Sequence, residues 1–299
     1  MRKYVIITDS GSDLKKELRE KYDIDYVPMR YSYDGKDAEV DLDWKDLSAS
    51  DFYNIMRNGT RIYTSAVNVD TYKKAFEKYL ALGFDILSIS TTAALSNSYN
   101  ASCLARENLI ETYPEAKIIC VDPCISCAGL GLVCIKAANL RAEGKTIEET
   151  RDWILENKKF INQEAAADKL IWLKLAGRVS AASAFFGGLL SVKPLVISDI
   201  HGNNLAIEKV KGRKASIKRI AERVADEYIP NDLGIHINHA DCLEDALRLK
   251  DEIMQRIPSL KDEDFEMGYI GATIGASVGP GMIGVYFYGK EVTADATKK

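Results

Sequence analysis

The chain has 299 residues, 46% of them hydrophobic and 28% charged, with a formal net charge of -4. That length exceeds what one small core organises and fits two domains. The composition excludes a disordered chain, and the acidic balance argues against a nucleic-acid surface. No apolar run reaches the ~18 residues of a membrane-spanning helix. The opening MRKYVIITDS has too short an apolar core for a signal peptide, so a cytoplasmic protein with no integral membrane segment is expected. In that compartment the six cysteines are expected as thiols.

In chain order, residues 4–8 form a short β-branched run, followed by the turn Asp9-Ser10-Gly11-Ser12-Asp13, where Ser12 is placed to cap a helix over 13–21. Residues 26–42 read as a β-rich excursion turning at Asp34-Gly35. Residues 85–90 and 116–121 repeat the order of strand then helix, which predicts a parallel sheet covered by helices. From about residue 164 the pattern changes, with strands expected at 194–198, 206–210, 234–238 and 281–288. A basic amphipathic helix over 212–228 and a second over 241–256, its early acids suited to the helix dipole, lie between them. The expected fold is α/β: an N-terminal parallel α/β domain over 1–163 and a C-terminal α+β domain over 164–299.

Ligands of such parallel sheets gather outside the carboxyl ends of the strands. Asp9-Ser10, Thr64-Ser65 and the segment 90–98 would converge there, although each hydroxyl alone serves equally well as a helix cap. The stretch 171–194, IWLKLAGRVSAASAFFGGLLSVKP, offers Phe185, Phe186, Leu189 and Leu190 as an apolar pocket wall or, equally, as a core helix. Motifs for nucleotide binding are missing. There is no GxxxxGK[ST], and Gly129-Leu130-Gly131 lacks the third glycine of a dinucleotide loop. Cys124-x-x-Cys127 stands without a second pair, a weak metal signal, and His236, His239 and Asp241 suit either a metal or a strand end.

Eight short motifs then carry a resemblance: TDSGSDL near the start, TSAVN at 64–68, LSNSYNAS at 95–102, VDPCISCAGLGL at 121–132, LAGRVS at 175–180, KGRK at 211–214, HAD at 239–241 and IGASVGPGMIG at 274–284. In order and spacing they resemble the motifs of the DegV family over nearly the whole chain. The resemblance implies a fatty-acid-binding protein with the lipid between its two domains, the non-catalytic partner of a fatty acid kinase related to dihydroxyacetone kinases, with no cofactor and no metal. It implies that the Thr64 and Ser96 hydroxyls and the Asn97 backbone hold the carboxylate. Ser65, Phe185, Phe186, Leu189, Leu190 and Ser277 would sit at the acyl pocket or its mouth, and Arg178 and Arg213 would face the kinase.

Two positions depart from the family pattern. Leu-Ser-Gly-Thr is replaced by Leu95-Ser96-Asn97-Ser98, and a histidine of the IGxHxGPG motif is replaced by Ser277, which carries no charge. Cys127 stands where the family commonly has serine. The competing reading is a small-molecule phosphotransfer or hydrolytic enzyme that uses the hydroxyl turns with His236, His239 and Asp241.

Overall fold

The computed structural model describes residues 2–169, 171–180 and 192–298. The chain runs through β1 (Tyr4–Asp9), α1 (Lys16–Tyr22), β2 (Ile24–Val27), β3 (Arg30–Tyr33), β4 (Lys36–Glu39), α2 (Ala49–Arg57), β5 (Tyr63–Ser65) and α3 (Val69–Leu80). It continues with β6 (Asp85–Ile89), α4 (Ser98–Leu109), β7 (Ile118–Val121), α5 (Cys127–Ala142), α6 (Ile147–Asn157), β8 (Ile161–Ala166), α7 (Ile171–Ala176) and β9 (Val192–Ser198). β10 (Asn204–Lys211), α8 (Arg213–Glu227), β11 (Ile235–His239), α9 (Leu243–Arg256), β12 (Phe265–Tyr269), α10 (Ala272–Val278) and β13 (Ile283–Tyr288) complete it.

Among the described residues the strands make three sheets. β2-β1-β6-β7 is parallel throughout, and β1 is buried along its whole length, as a strand covered on both faces must be. β10-β9-β8-β13-β11-β12 is antiparallel except for its last pair. β4-β3-β5 is a small antiparallel sheet. The expected turn closes its hairpin: Asp34 (φ 48°) and Gly35 (φ 75°) both adopt the left-handed conformation that a two-residue turn of matching twist requires.

α5 joins the two large sheets. Its sequence CAGLGLVCIKAANLRA is apolar on nearly every side, as suits a helix with no solvent face, and it packs against β1 below and β8, β11 and β13 above. The larger core therefore runs continuously from Ile6 and Leu87 through Leu130 and Cys134 to Ala165 and Tyr286. A second core lies under α8 and α9, where Ile217, Ile220, Ala221 and Val224 recur at helical spacing. β8, which contains residue 163, is the first strand of the second sheet.

The mixed α/β architecture and the change of strand order match expectation, and three local readings need correction. The helix expected over 13–21 begins only at Lys16, and its N-cap, Lys15, makes no side-chain cap. Residues Ser10–Ser12 form a 3-10 turn capped instead by Asp9, which accepts from Gly11 N, while Asp13 turns left-handed (φ 51°). Ser12 Oγ is buried without a partner and caps nothing. Finally, Thr64-Ser65 belongs to β5 at the edge of the antiparallel sheet, not to the carboxyl end of a parallel strand.

Candidate functional site

The site starts from a buried carboxylate at the end of β1. Asp9 is wholly buried and accepts from Gly11 N at 2.9 Å, Thr91 N at 2.7 Å and Thr91 Oγ1 at 2.7 Å. Burial pushes its pKa up, and those hydrogen bonds pull it back. The bonds tie the end of β1 to the turn that follows β6. They also account for the glycine of TDSG: a Cβ on Gly11 would lie 2.2 Å from Thr91 Oγ1. Ser10 reaches the other way. Its hydroxyl accepts from Met29 N at 3.0 Å and lies 3.2 Å from Thr273 Oγ1 on α10.

Where these elements meet, a cavity of about 290 Å³ opens. Thr64, Ser65, Ser96, Asn97, Arg178 and Ser277, all singled out from sequence, line it. Met29, Leu95, Leu173, Ile274 and Val278 supply apolar wall. Thr91, Ser126, Asn204 and Thr273, which sequence reasoning did not assign, add polar lining. Arg178 is the only ionisable side chain on the lining among the described residues. Of the three polar turns expected to converge, two reach the cavity, whereas Asp9 and Ser10 support it from behind. Phe185, Phe186, Leu189 and Leu190 lie outside the described residues.

A chain of hydrogen bonds joins the two hydroxyl motifs. Val67 N donates to Ser98 Oγ at 3.2 Å, Ser98 Oγ lies 3.0 Å from Ser96 Oγ, and Ser98 N donates to Ser96 Oγ at 3.3 Å. Each hydroxyl accepts one backbone N–H, and either can donate in the contact between them. When Ser98 donates, Ser96 accepts twice and keeps its own proton for the cavity. Asn97 is the N-cap of α4, with no side-chain capping bond, and its carbonyl oxygen on the side chain accepts from Asn100 Nδ2. Arg178 is held at the mouth by Leu95 O (Nε, 3.3 Å) and by Ala176 O, and Asn204 Nδ2 grips its carbonyl at 3.1 Å.

The remaining sequence candidates sit elsewhere. Arg213 is mostly buried, ion-paired with Asp245 at 2.8 Å and within 3.5 Å of Cys242 Sγ. His236 is buried in β11, and that burial lowers its pKa to about 4. His239 packs on the Tyr269 ring, and Asp241 pairs with Arg57. No histidine lines the cavity among the described residues. Cys124 Sγ accepts from Lys158 Nζ at 3.2 Å, whereas Cys127 Sγ donates to Asp13 Oδ2 at 2.8 Å. The two thiols of the CxxC thus serve different partners. Among the described residues no group of three or more His, Cys, Asp or Glu could hold a metal ion, and no helix is long and apolar enough to cross a membrane.

Fold and geometry together define a mixed α/β protein with a hydroxyl-ended, partly apolar cavity where a parallel sheet, a small antiparallel sheet and α10 meet. The chain belongs to the DegV family: the family model for uncharacterised proteins of the DegV family matches residues 3–290. It is 38% identical over 290 residues to a DegV domain-containing protein of Clostridium perfringens, covering 97% of this chain and 98% of the relative. A DegV family protein from Thermus thermophilus, described as binding fatty acid, superposes with a TM-score of 0.85 at 22% identity over 97% of this chain and all (100%) of the other. DegV of Bacillus subtilis, described as a fatty acid binding protein, gives 0.80 at 24% identity with 97% and 100% coverage.

Proposed function

We propose that this protein is a cytoplasmic, non-enzymatic fatty acid carrier. It buries a long acyl chain between two domains, 1–163 and 164–299, and presents the carboxylate to a separate kinase, related to dihydroxyacetone kinases, for phosphorylation. The observation that carries the reading is the meeting of Thr64, Ser65, Ser96, Asn97 and Arg178 in one cavity that Met29, Leu95, Leu173, Ile274 and Val278 also line. An ionised carboxylate taken from water needs several hydrogen bonds. Hydroxyl and backbone donors can provide most of them, which leaves the carboxylate able to accept a phosphoryl group. The chain supplies the affinity: at ~0.8 kcal/mol per buried methylene, about sixteen carbons give on the order of 10 kcal/mol before ordering costs. The fatty acid binding described for the Thermus thermophilus and Bacillus subtilis proteins supports the same ligand class.

In this reading Arg178 and the KGRK segment with Arg213 lie on the side offered to the kinase. Arg213 keeps its internal ion pair with Asp245, so it docks an acidic partner only by sharing that contact. Ser277, on the cavity wall, puts a neutral hydroxyl where the family motif has a histidine. Extraction of the purified protein with organic solvent, followed by mass spectrometry, should release one fatty acid per chain. Thr64→Ala combined with Ser96→Ala removes two hydrogen bonds to a charged group, each worth about 1.5–3 kcal/mol, so retention should fall more than about a hundredfold. An empty wild-type protein that also takes up no added fatty acid overturns the proposal.

A further inference from the structure

A second chemical cluster lies on the opposite side of the helix that begins at Ser98. Cys103 is on α4 and Cys120 on β7, the edge strand of the parallel sheet. α4 packs directly against β7, and both cysteines keep partial solvent exposure. The two thiols perturb each other's ionisation, and Tyr99 also acts on Cys103, while the Ser102 hydroxyl donates to Tyr99 O at 2.7 Å. Arg106, three residues further along the helix, supplies a positive charge. The other four cysteines meet different groups: Cys124 meets Lys158, Cys127 meets Asp13, Cys134 meets Thr8 and Cys242 meets the Met282 carbonyl.

From this juxtaposition we infer that Cys103 and Cys120 form a reversible redox pair, which a two-electron oxidant such as hydrogen peroxide converts to a disulfide joining α4 to β7. The Cys103 thiolate attacks one peroxide oxygen, the O–O bond breaks, and the departing hydroxide takes a proton from solvent to become water. The Cys120 sulfur then attacks the sulfenic sulfur, the S–O bond breaks, and the hydroxyl leaves with the Cys120 proton as a second water. Two thiols are oxidised and one peroxide is reduced to two waters. The surroundings support these roles. The influence of Cys120, then of Tyr99 and the Arg106 charge, outweighs burial and lowers the Cys103 thiol to about 6. The same contact and burial raise Cys120, which keeps its proton until the second step. Oxidation would pin the helix whose first turn carries Asn97, but the chemistry stands apart from the fatty acid reading.

Two measurements on the folded wild-type protein test it. Stoichiometric hydrogen peroxide should remove two of the six thiols, and non-reducing digestion with tandem mass spectrometry should locate the link between Cys103 and Cys120, reversed by dithiothreitol. Alkylation of Cys103 by iodoacetamide should be half-maximal near pH 6, against 9.0 for an ordinary thiol, and Cys120→Ser should move that midpoint upward. Retention of all six thiols, a link between another pair, Cys103 oxidised to sulfinic acid with Cys120 still free, or an alkylation midpoint above about pH 8 would each overturn the inference.

Discussion

Replacing Ser98 by alanine probes how the carboxylate end of the cavity is prepared. Ser98 Oγ is fully buried, accepts from Val67 N at 3.2 Å and lies 3.0 Å from Ser96 Oγ. Two effects should follow from its loss. The buried Val67 amide loses its acceptor, which costs about 1–3 kcal/mol of stability, or a melting temperature lower by about 2–4 °C for each kcal/mol. If Ser98 is the donor in its contact with Ser96, Ser96 also loses the bond that leaves its own proton free for the cavity. A fraction of one hydrogen bond to a charged group, about 1 kcal/mol, should then weaken fatty acid binding about fivefold. Displacement of a fluorescent fatty acid by palmitate, measured for wild type, Ser98→Ala, Ser96→Ala and the double variant, separates the two effects. If Ser98 acts through Ser96, the double variant binds no more weakly than Ser96→Ala alone, and Ser98→Thr retains affinity. Additive losses in the cycle refute the hydroxyl relay.

Two further predictions concern stability. Burial is the main cause of a raised Asp13 pKa, about 7 against an ordinary 3.8, and of a lowered His236 pKa, about 4 against 6.5. Between about pH 4 and 6.5 the unfolded chain has lost the Asp13 proton that the native state keeps, so this group makes stability fall as pH rises. Over the same window the unfolded chain holds a His236 proton that the native state refuses, so this group makes stability rise. Each slope is at most about 1.4 kcal/mol per pH unit, and the two oppose. Asp13→Asn should therefore unmask a rising stability over this window and His236→Gln a falling one that extends to about pH 7, read from urea midpoints. Identical pH profiles for wild type and both variants would show the assignments to be wrong. Gly279→Ala should lower stability by at least about 2 kcal/mol, because its φ is 76° and the new Cβ would lie 2.0 Å from Trp172 Cδ1. A wild-type melting temperature in that variant would mean that the packing of α7 on α10 is looser than these contacts imply.

The strands that sequence patterning located well are those with apolar residues in runs, such as β1, β6 and β13. β8 escaped because its sequence INQEAA buries Asn162, Gln163 and Glu164. Their burial depends on distant partners, above all Arg223, which grips Glu164 with two bonds of 2.7 Å. No local pattern announces such a strand. The hydroxyl motifs were legible as polar turns, but their convergence was attributed to one sheet edge. β5 reaches the cavity by pairing with β3, a tertiary choice that three residues, YTS, cannot encode locally. Met29 and Thr273 were missed for a related reason: each looks like ordinary core, and only the bonds through Ser10 draw them to the cavity.

Asp9 shows how a residue that never touches the cavity decides its polarity. Thr91, on the cavity lining, spends its hydroxyl proton on the Asp9 carboxylate, so its oxygen has no proton left to give a ligand. An ionised carboxylate next to it would meet lone pairs, with the buried Asp9 behind them. Thr64, Ser96 and Arg178, also on the lining, carry protons to give. In the carrier reading this difference orients the acid: the carboxylate is drawn to those donors and to the Arg178 charge rather than to Thr91. The Thr91 side is left to groups that donate or to the chain itself. The fixed direction of the Thr91 hydroxyl proton, set by Asp9, thus makes one of several similar small polar residues on the lining unlike the rest.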